Sequence, residues 1–303
     1  MKFHQLIFPC FLFSLLTTAL LFSCANQPSS SSPSSYTYPT KNYLEVAHYF
    51  DTVKNARFPY VIHLKEGKKE LVFIGTAHTR DVTQQADSID FYFNLLKPQI
   101  AFNEGGQIAK EKHYKTRNDA IANDAEIGQL KYLCDQQKIE MINGDLSSGE
   151  EMEALFKQYG REQVLLYTCC ERFFALYKNG WIDTTKGIEA AYQKDFIQYL
   201  ESEKLQFQPE EKKFNFMKIA YKKIFGTELD VYNVPVEKYS FLKDGGRLCE
   251  VGRSSKMVRD EHLLKTIETA FKTNDRIFVA FGGAHAVAIE PALNELMKKI
   301  QIH

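Results

Sequence analysis

Two histidines and one glutamate are the residues whose types and spacing could do chemistry. His78 closes the segment GTAH (residues 75–78) and His285 closes GGAH (residues 282–285), so glycine-x-x-histidine occurs twice. Glu104 follows another apolar segment at a glycine-rich turn. Two imidazoles and a carboxylate suit manganese, iron, cobalt or zinc and leave positions for water. Without a metal, His78 or Glu104 could act as general base, with the other histidine as acid or orienting group.

Each of these residues follows a short apolar segment that has the composition of a buried strand. The predicted strands cover residues 60–64, 70–74, 99–102, 139–142 and 277–281, and the first two form a hairpin. Helical segments alternate with short strands between residues 72 and 142, which predicts βαβ units. We therefore predict an α/β fold with a mixed, mainly parallel central sheet flanked by helices. Ligands bind beyond the carboxyl ends of such strands, where His78, Glu104 and His285 are expected.

Helical periodicity predicts the elements that pack around this sheet. The predicted helices cover residues 42–54, 82–96, 121–134, 161–177, 210–225 and 254–273. Ser254 or Ser255 could cap the last of them. From about residue 150 to 240 the chain contains no convincing strand, which predicts an all-helical insertion. This insertion could cover the carboxyl edge of the sheet and shape a pocket, although its sequence does not reveal a substrate.

Charged residues near the same edge are candidates for supporting roles. Asp145 follows the fourth predicted strand and could either support the site or serve as a turn or helix-cap residue. Arg259 and Asp260 lie close to the apolar stripe of the last predicted helix. Charges near a core-facing stripe cost several kilocalories unless they are paired or useful. Arg259 and Asp260 are therefore either part of the site or structural ion-pair or capping residues.

The composition is that of a soluble globular protein. The chain has 303 residues, which suits one α/β domain with an insertion, and it is 44% hydrophobic and 25% charged. Its 38 basic and 38 acidic side chains cancel. The net charge therefore gives no reason to expect nucleic acid as a partner.

The N-terminal stretch has a different character. An apolar run over residues 6–22 leads into L-F-S-C, which resembles the lipobox that directs lipidation of a bacterial lipoprotein cysteine, here Cys24. We predict a signal peptide (1–23), then a lipidated cysteine and a serine- and proline-rich linker (24–40). The folded domain would cover residues 41–303, held at a membrane outside the cytoplasm. A retained signal anchor is the alternative, because the run approaches the length of a spanning helix.

Export would place the remaining cysteines of the domain in an oxidising compartment, where disulfides are allowed. They are Cys134, Cys169, Cys170 and Cys249. The chain contains no C-x-x-C, and adjacent cysteines rarely bond to each other because the geometry is strained. We therefore assign no disulfide, and the disulfide state of these cysteines does not follow from the sequence.

The order and spacing of these motifs resemble the TraB/Tiki superfamily, which includes the TraB/GumN-like bacterial lipoproteins. The resemblance covers about residues 60–145 and 250–295. It is carried by GTAH with His78, the strand-end Glu104, M-x-R-D with Arg259 and Asp260, and GGAH with His285. In Tiki proteins such residues are associated with metal-dependent peptidase activity, which implies a metal site at His78, Glu104 and His285. The superfamily is also similar to erythromycin esterases, which are thought to activate water without a metal, and to ChaN-like haem-binding lipoproteins.

The chemistry expected at this site is attack of water on a carbonyl group. A divalent metal would acidify the bound water, and Arg259, with Arg80 as a further candidate, would stabilise the oxyanion. Asp260 and Asp145 would support these residues. The histidines do not share one helix as in H-E-x-x-H, which excludes a thermolysin-like zinc site.

The function expected from the sequence is that of a membrane-tethered, metal-dependent hydrolase. It would cleave a peptide or ester bond of a peptide, protein or ester substrate outside the cytoplasm. The alternatives are a metal-independent esterase-type hydrolase, a haem- or metal-binding lipoprotein without catalysis, and an inactive scaffold that binds a partner. The substrate, the identity of the metal and the oligomeric state do not follow from the sequence.

Overall fold

The centre of the fold is a five-stranded sheet, seen in a computed structural model that describes residues 38–53, 58–78, 80, 84–183 and 185–301. The strands are β1 (Tyr60–Glu66), β2 (Lys69–Thr76), β3 (Ile100–Asn103), β4 (Glu140–Asn143) and β5 (Arg276–Gly282). They lie in the order β1-β2-β5-β3-β4. Only the β1–β2 hairpin is antiparallel among these neighbours, and the other pairs are parallel. The predicted α/β fold with a mixed, mainly parallel sheet is confirmed.

The register of the parallel strands brings their carboxyl ends to one edge. Thr76 of β2 pairs with Gly282 of β5, while Asn103 of β3 pairs with Ala280 of β5 and with Asn143 of β4. The chain after each of these ends therefore starts from the same edge of the sheet. This edge is where the predicted site residues begin.

Helices cover both faces of the sheet, so its central strands are buried on both sides. They are α1 (Tyr43–Thr52), α2 (Gln84–Leu96), α3 (Arg117–Gln137), and, after the helical block described below, α10 (Arg247–Ala270) and α11 (Gly283–Gln301). On one face, α2 and α3 pack on β2, β3 and β5, with Ile89, Phe93 and Leu130 against Val72 and Phe278. On the other face of the sheet, α11 packs on β1 and β2 and also contacts α1 and α10.

Between β4 and α10 the described residues form helices joined by turns and loops, without a strand. The helices are α4 (Ser148–Phe156), α5 (Arg161–Thr168), α6 (Ala175–Lys178), α7 (Ile188–Ala191), α8 (Tyr199–Ser202) and α9 (Phe214–Phe225). Two π-helical segments, Cys169–Phe174 and Tyr192–Gln198, join α5 to α6 and α7 to α8. This helical block has its own apolar core, and α4 and α5 pack on α10.

The last long helix before β5 begins earlier than the sequence predicted. Gly246 occupies the N-cap position of α10, so the helix starts seven residues before Ser254. The expectation that Ser254 or Ser255 caps the helix is wrong, because both serines lie inside it. They serve other purposes there: Ser255 donates to Glu151 Oε1 (2.5 Å) and Ser254 Oγ lies 2.7 Å from the Tyr159 hydroxyl.

The predicted signal peptide (1–23), Cys24 and residues 25–37 of the predicted linker lie outside the described residues. Within the described part of the chain, each helix is too short or too polar to cross a membrane. The cysteines at positions 134, 169, 170 and 249, whose disulfide state the sequence left open, are free thiols.

Candidate active site

His78, Glu104 and His285 come together beyond the carboxyl edge of the sheet. His78 Nε2 lies 3.6 Å from Glu104 Oε2, and His285 Nε2 lies 3.7 Å from Glu104 Oε1. The three residues follow β2, β3 and β5, which are adjacent in the sheet. The carboxylate therefore lies between the two imidazoles, with each histidine facing a different oxygen.

A tight turn after β3 presents Glu104 to the site. Gly105 and Gly106 have φ angles of 82° and 110°, a region that favours glycine. The buried Asn103 side chain donates to the carbonyl oxygens of Glu104 and Gly106, at 3.0 and 2.7 Å. These bonds fix the turn, and with it the direction of the Glu104 side chain.

Glu104 is held as a carboxylate. Arg259 Nη2 donates to its Oε1 (2.5 Å), and the backbone N–H of Gly282 donates to its Oε2 (2.5 Å). Burial alone would raise the pKa of this carboxyl group. The charges of His285, Arg259 and His78 and the Gly282 N–H outweigh burial and hold the pKa of Glu104 well below its usual range. Gly282 precedes the first turn of α11, where the helix dipole also favours a negative charge.

His285 is buried in the first turn of α11 and is only 4% exposed. Its Nδ1 lies 2.6 Å from Asp260 Oδ1 and 3.0 Å from the Tyr43 hydroxyl, which donates to Asp260 Oδ2 (2.8 Å). An ionised carboxylate can only accept, so the Nδ1 proton points to Asp260 and Nε2 is left to face Glu104. Burial and the Asp260 carboxylate raise the pKa of Tyr43 well above its usual value, which keeps this hydroxyl a donor.

His78 has the same kind of partner but a different environment. Its Nδ1 lies 2.5 Å from Glu126 Oε1, and 53% of its side chain is exposed. The hydrogen bond with Glu126 raises the pKa of His78, against the opposing effect of partial burial. The loop is fixed by the Ala77 N–H, which donates to Gln85 Oε1 (2.8 Å) at the start of α2. His78 is thus the histidine of the pair that solvent can reach.

Arg259 joins the carboxylates that follow β3 and β4. It donates from Nε to Asp145 Oδ1 (2.7 Å) and from Nη2 to both Asp145 Oδ2 and Glu104 Oε1 (2.5 Å each). The guanidinium is 6% exposed, and although burial lowers its pKa, the two carboxylates raise that pKa well above its usual value. The ion-pair interpretation that the sequence left open is therefore observed, with Glu104 and Asp145 as partners. Asp260 pairs with His285 instead.

Two cavities meet this site at Gly105, Gly106 and Gln107. One, of about 960 Å³, is lined by His78, Arg80, Glu126 and the exposed Trp181, among others. The other, of about 970 Å³, is lined by Asp145, Arg259 and side chains of the helical block such as Arg172 and Phe196. The helical block thus shapes the space next to the carboxyl edge, as the sequence predicted, and Arg80 lies on the side of His78.

The donor set meets one requirement of a divalent cation. In the neutral ring, a proton held at Nδ1 by the carboxylate leaves the lone pair at Nε2, which is the arrangement of carboxylate-oriented metal-binding histidines. Gly282 also leaves space: a Cβ there would lie 2.9 Å from His78 Nε2 and 3.0 Å from Glu104 Oε2. Within the described residues, however, no group of three or more His, Cys, Asp or Glu side chains forms a ready-made metal site. Both Glu104 oxygens already accept hydrogen bonds.

Sequence reasoning missed three contributors to this site. Tyr43 and Glu126 contact the histidines from helices far away in sequence, and Gly282 contributes its backbone N–H. Tyr43 gave no signal, because an aromatic residue at the start of a helix is ordinary. A signal near Glu126 did exist: Gly128 interrupts the predicted helix, and an interior glycine often marks close packing.

Neither the scan against models of known protein families nor the search of curated proteins produced a match for this chain.

Proposed function

We propose that this chain is a hydrolase that attacks a peptide or ester carbonyl with water held between His78, Glu104 and His285. One observation carries the proposal: two histidines, each bound at Nδ1 to a buried carboxylate, turn Nε2 toward the same ionised carboxylate. Such pairs orient an imidazole and fix which nitrogen exchanges the proton. The resemblance of these motifs to the TraB/Tiki superfamily supports the same chemistry.

The environments of the two histidines suggest different roles. His285 is buried and fixed by Asp260 and Tyr43, so it serves to orient the water and accept its proton at Nε2. His78 lines the cavity of about 960 Å³, and its raised pKa favours the protonated form. His78 therefore donates a proton from Nε2 to the leaving group as the carbonyl bond breaks.

Glu104 and the arginines complete the assignment. Glu104 is ionised and accepts a hydrogen bond from the attacking water, while Arg259 and the Gly282 N–H keep its carboxylate in place. Arg259 already donates to two carboxylates. We therefore assign stabilisation of the oxyanion to Arg80, which lines the cavity beside His78. Asp145 holds Arg259.

The proposal includes a divalent metal as resident cofactor: manganese, cobalt, zinc or iron. His78 and His285 would hold it through Nε2 and Glu104 through its carboxylate. The acid and base roles given above to the two Nε2 atoms then apply to the metal-free form, because a nitrogen that holds a metal does not exchange a proton. When bound, such an ion lowers the pKa of its water to near 7. The lone pair that each neutral ring presents at Nε2 supports this part of the proposal. We further propose that the protein is exported and tethered to the membrane by a lipid on Cys24.

A metal-independent, esterase-type hydrolase is the second candidate. It is favoured by the hydrogen bonds that already hold both oxygens of Glu104, from Arg259 Nη2 and from the Gly282 N–H. A carboxylate fixed in this way orients the histidines and water without a cation. The protein residues keep the roles given above, with His285 as the general base.

Metal content by elemental analysis of the full chain separates these candidates. We compare the wild type with His78→Ala/His285→Ala and with a control, His63→Ala/His113→Ala, whose histidines also pair with carboxylates (2.7 and 2.9 Å) but lie on the surface. The metal-dependent form predicts near-stoichiometric metal in the wild type and the control, and none in the site variant.

If the wild type binds none of manganese, cobalt or zinc when these are supplied, the metal-dependent form fails. Hydrolysis of 4-nitrophenyl acetate in the presence of EDTA, lost in the site variant, would then support the second candidate. If the site variant hydrolyses esters and peptides as fast as the wild type, the hydrolase proposal itself is wrong, and haem binding becomes the next function to measure.

A further inference from the structure

A distortion of α3 places Glu126 against His78. Asp124 (φ −134°, ψ 28°) and Ala125 (φ 51°, ψ −139°) have non-helical backbone angles inside the span Arg117–Gln137. An alanine at positive φ costs about 1 to 3 kcal/mol, and such strain persists only where the surroundings impose it. The residue that directly follows this strained pair is Glu126.

Two further features show that the distortion is built into the packing. Gly128 lies so close to the preceding turn that a Cβ there would be 2.3 Å from the Ala120 carbonyl oxygen, so the kink requires glycine at this position. On the other side of the contact, His78 itself has a positive φ of 50°. A non-glycine residue with a strained backbone therefore occurs on each side of the His78–Glu126 contact: His78 itself, and Ala125 next to Glu126.

The Glu126 side chain makes few hydrogen bonds apart from the one with His78. It is 3% exposed, and its Oε1 accepts from His78 Nδ1 (2.5 Å) and from the Thr76 hydroxyl (3.3 Å). Its Oε2 is buried and has no hydrogen-bond partner within the described residues. A buried carboxylate with one unsatisfied oxygen costs stability, so the fold alone does not explain its presence.

We infer that Glu126 is a positioning residue of the active site, which holds His78 in the Nδ1–H form with Nε2 toward Glu104. The inference rests on the proposed function, because it assumes that His78 takes part in the reaction. It adds a residue that the motifs do not contain. His78 and Glu126 then form the solvent-accessible histidine–carboxylate pair of the site, and His285 and Asp260 form the buried pair.

The surroundings of His78 agree with this assignment. The charged groups that face it are Glu126 from α3, Glu104 after β3 and Arg259 from α10. Arg80 and Asp124 line the same cavity. Of these, Glu126 alone contacts Nδ1, and its hydrogen bond is the largest influence that raises the pKa of His78. His285 has no such access to solvent.

The experiment is an NMR measurement of the tautomers of the neutral histidine rings, on full-length protein labelled with ¹⁵N-histidine. His78→Gln assigns the His78 signals. We compare the wild type with Glu126→Gln and Glu126→Asp, and with Asp124→Asn as a control on the same kink, whose carboxylate binds Lys112 instead. This readout needs neither substrate nor metal, and it is carried out in EDTA.

We expect His78 to be in the Nδ1–H form in the wild type and Glu126→Gln to mix its two neutral tautomers. Glu126→Asp should give an intermediate mixture, and Asp124→Asn and the His285 signals should stay as in the wild type. Unchanged His285 signals also show that the fold is intact. If Glu126→Gln fails to fold, Glu126→Asp carries the test.

An unchanged tautomer of His78 in the folded Glu126 variants would overturn the inference. Its failure is distinguishable from failure of the proposed function. If the His78 tautomer changes as expected but the wild type hydrolyses no ester or peptide, the positioning contact is supported and its assignment to a reaction is wrong. With an active enzyme, Glu126→Gln should reduce kcat at least tenfold and leave KM within about twofold.

Discussion

Gly75 and Gly283, one from each glycine-x-x-histidine segment, pack directly against each other. A Cβ on Gly75 would lie 3.0 Å from the Gly283 Cα and 2.8 Å from the Ala286 Cβ. Gly75 is on β2 and Gly283 is the first residue of α11, so this contact sets how closely the helix lies on the strand. The two motifs therefore share a packing contact as well as a carboxylate.

Gly75→Ala should lower the free energy of unfolding by about 1 to 3 kcal/mol, because an added methyl group overpacks this contact. Urea denaturation followed by circular dichroism measures the change. Gly160→Ala is the control, since a Cβ there meets no atom within 4 Å and its φ of −61° suits alanine. Equal stability of the two variants would contradict the prediction.

Gly282→Ala should abolish hydrolysis and metal binding with a smaller effect on folding. The new Cβ would lie 2.9 Å from His78 Nε2 and 3.0 Å from Glu104 Oε2, in the space where water or a cation is proposed to bind. His78 lies in a loop and its side chain is partly exposed, so it can move away, which limits the cost in stability. Activity, metal content and denaturation midpoint are measured beside those of Gly160→Ala. Retention of wild-type activity by Gly282→Ala would place the reaction elsewhere.

Glu104→Gln should lower the free energy of unfolding at pH 7 by about 1 to 3 kcal/mol, because Arg259 and the Gly282 N–H lose a charged acceptor. The pKa of Glu104 is lower in the folded than in the unfolded state, so its stabilisation is present above the unfolded value of 4.5. It is lost as the pH falls below that value toward the folded pKa. The difference between wild type and variant should therefore shrink in acid.

Glu153→Gln, at an exposed position, is the control for Glu104→Gln. Denaturant titrations at pH 7, 5 and 3 make the comparison. A difference between Glu104→Gln and the wild type that grows as the pH falls would have the wrong sign.

His78→Gln should change stability with pH in the opposite direction. The pKa of His78 is raised in the folded state, so the stabilisation from its protonated form is fully present below the unfolded value of 6.5 and is lost as the pH rises through the folded pKa. The stability difference between wild type and His78→Gln should thus be larger at pH 6 than at pH 9. Denaturation at both values checks this, with His113→Gln as the control for an exposed histidine.

Tyr43→Phe should lower the free energy of unfolding by about 1 kcal/mol and reduce kcat, because the Asp260 carboxylate loses a donor and His285 loses a neighbour that fixes its ring. Tyr49→Phe, on the same helix but packed against Tyr60, is the matched control. Activity assays and urea denaturation of the two variants test the difference. An identical kcat for Tyr43→Phe and the wild type would remove Tyr43 from the site.

The sequence predicted the strands well because each apolar run ends at a glycine or polar residue, and both signals are local. His78, Glu104 and His285 lie close together because their strands are neighbours whose carboxyl ends share one edge of the sheet. The kink of α3 could not be predicted in the same way. Gly128 marks close packing in this segment, but the contact that accompanies the strained angles of Ala125 joins Glu126 to a loop 48 positions earlier, which local sequence does not show. Tyr43 likewise reaches His285 across 242 positions.

The bridge that Arg259 makes between Glu104 and Asp145 ties the ends of β3 and β4 together, so part of the proposed active site also supports the sheet. Mutational tolerance should therefore differ among the site residues. In a library selected only for folded protein, Arg259, Glu104 and Asp145 should remain nearly invariant, whereas the more exposed His78 should accept many replacements. A library selected for activity should restrict all four residues. Comparison of the two selections would then separate the residues needed for folding from the residues needed only for the reaction.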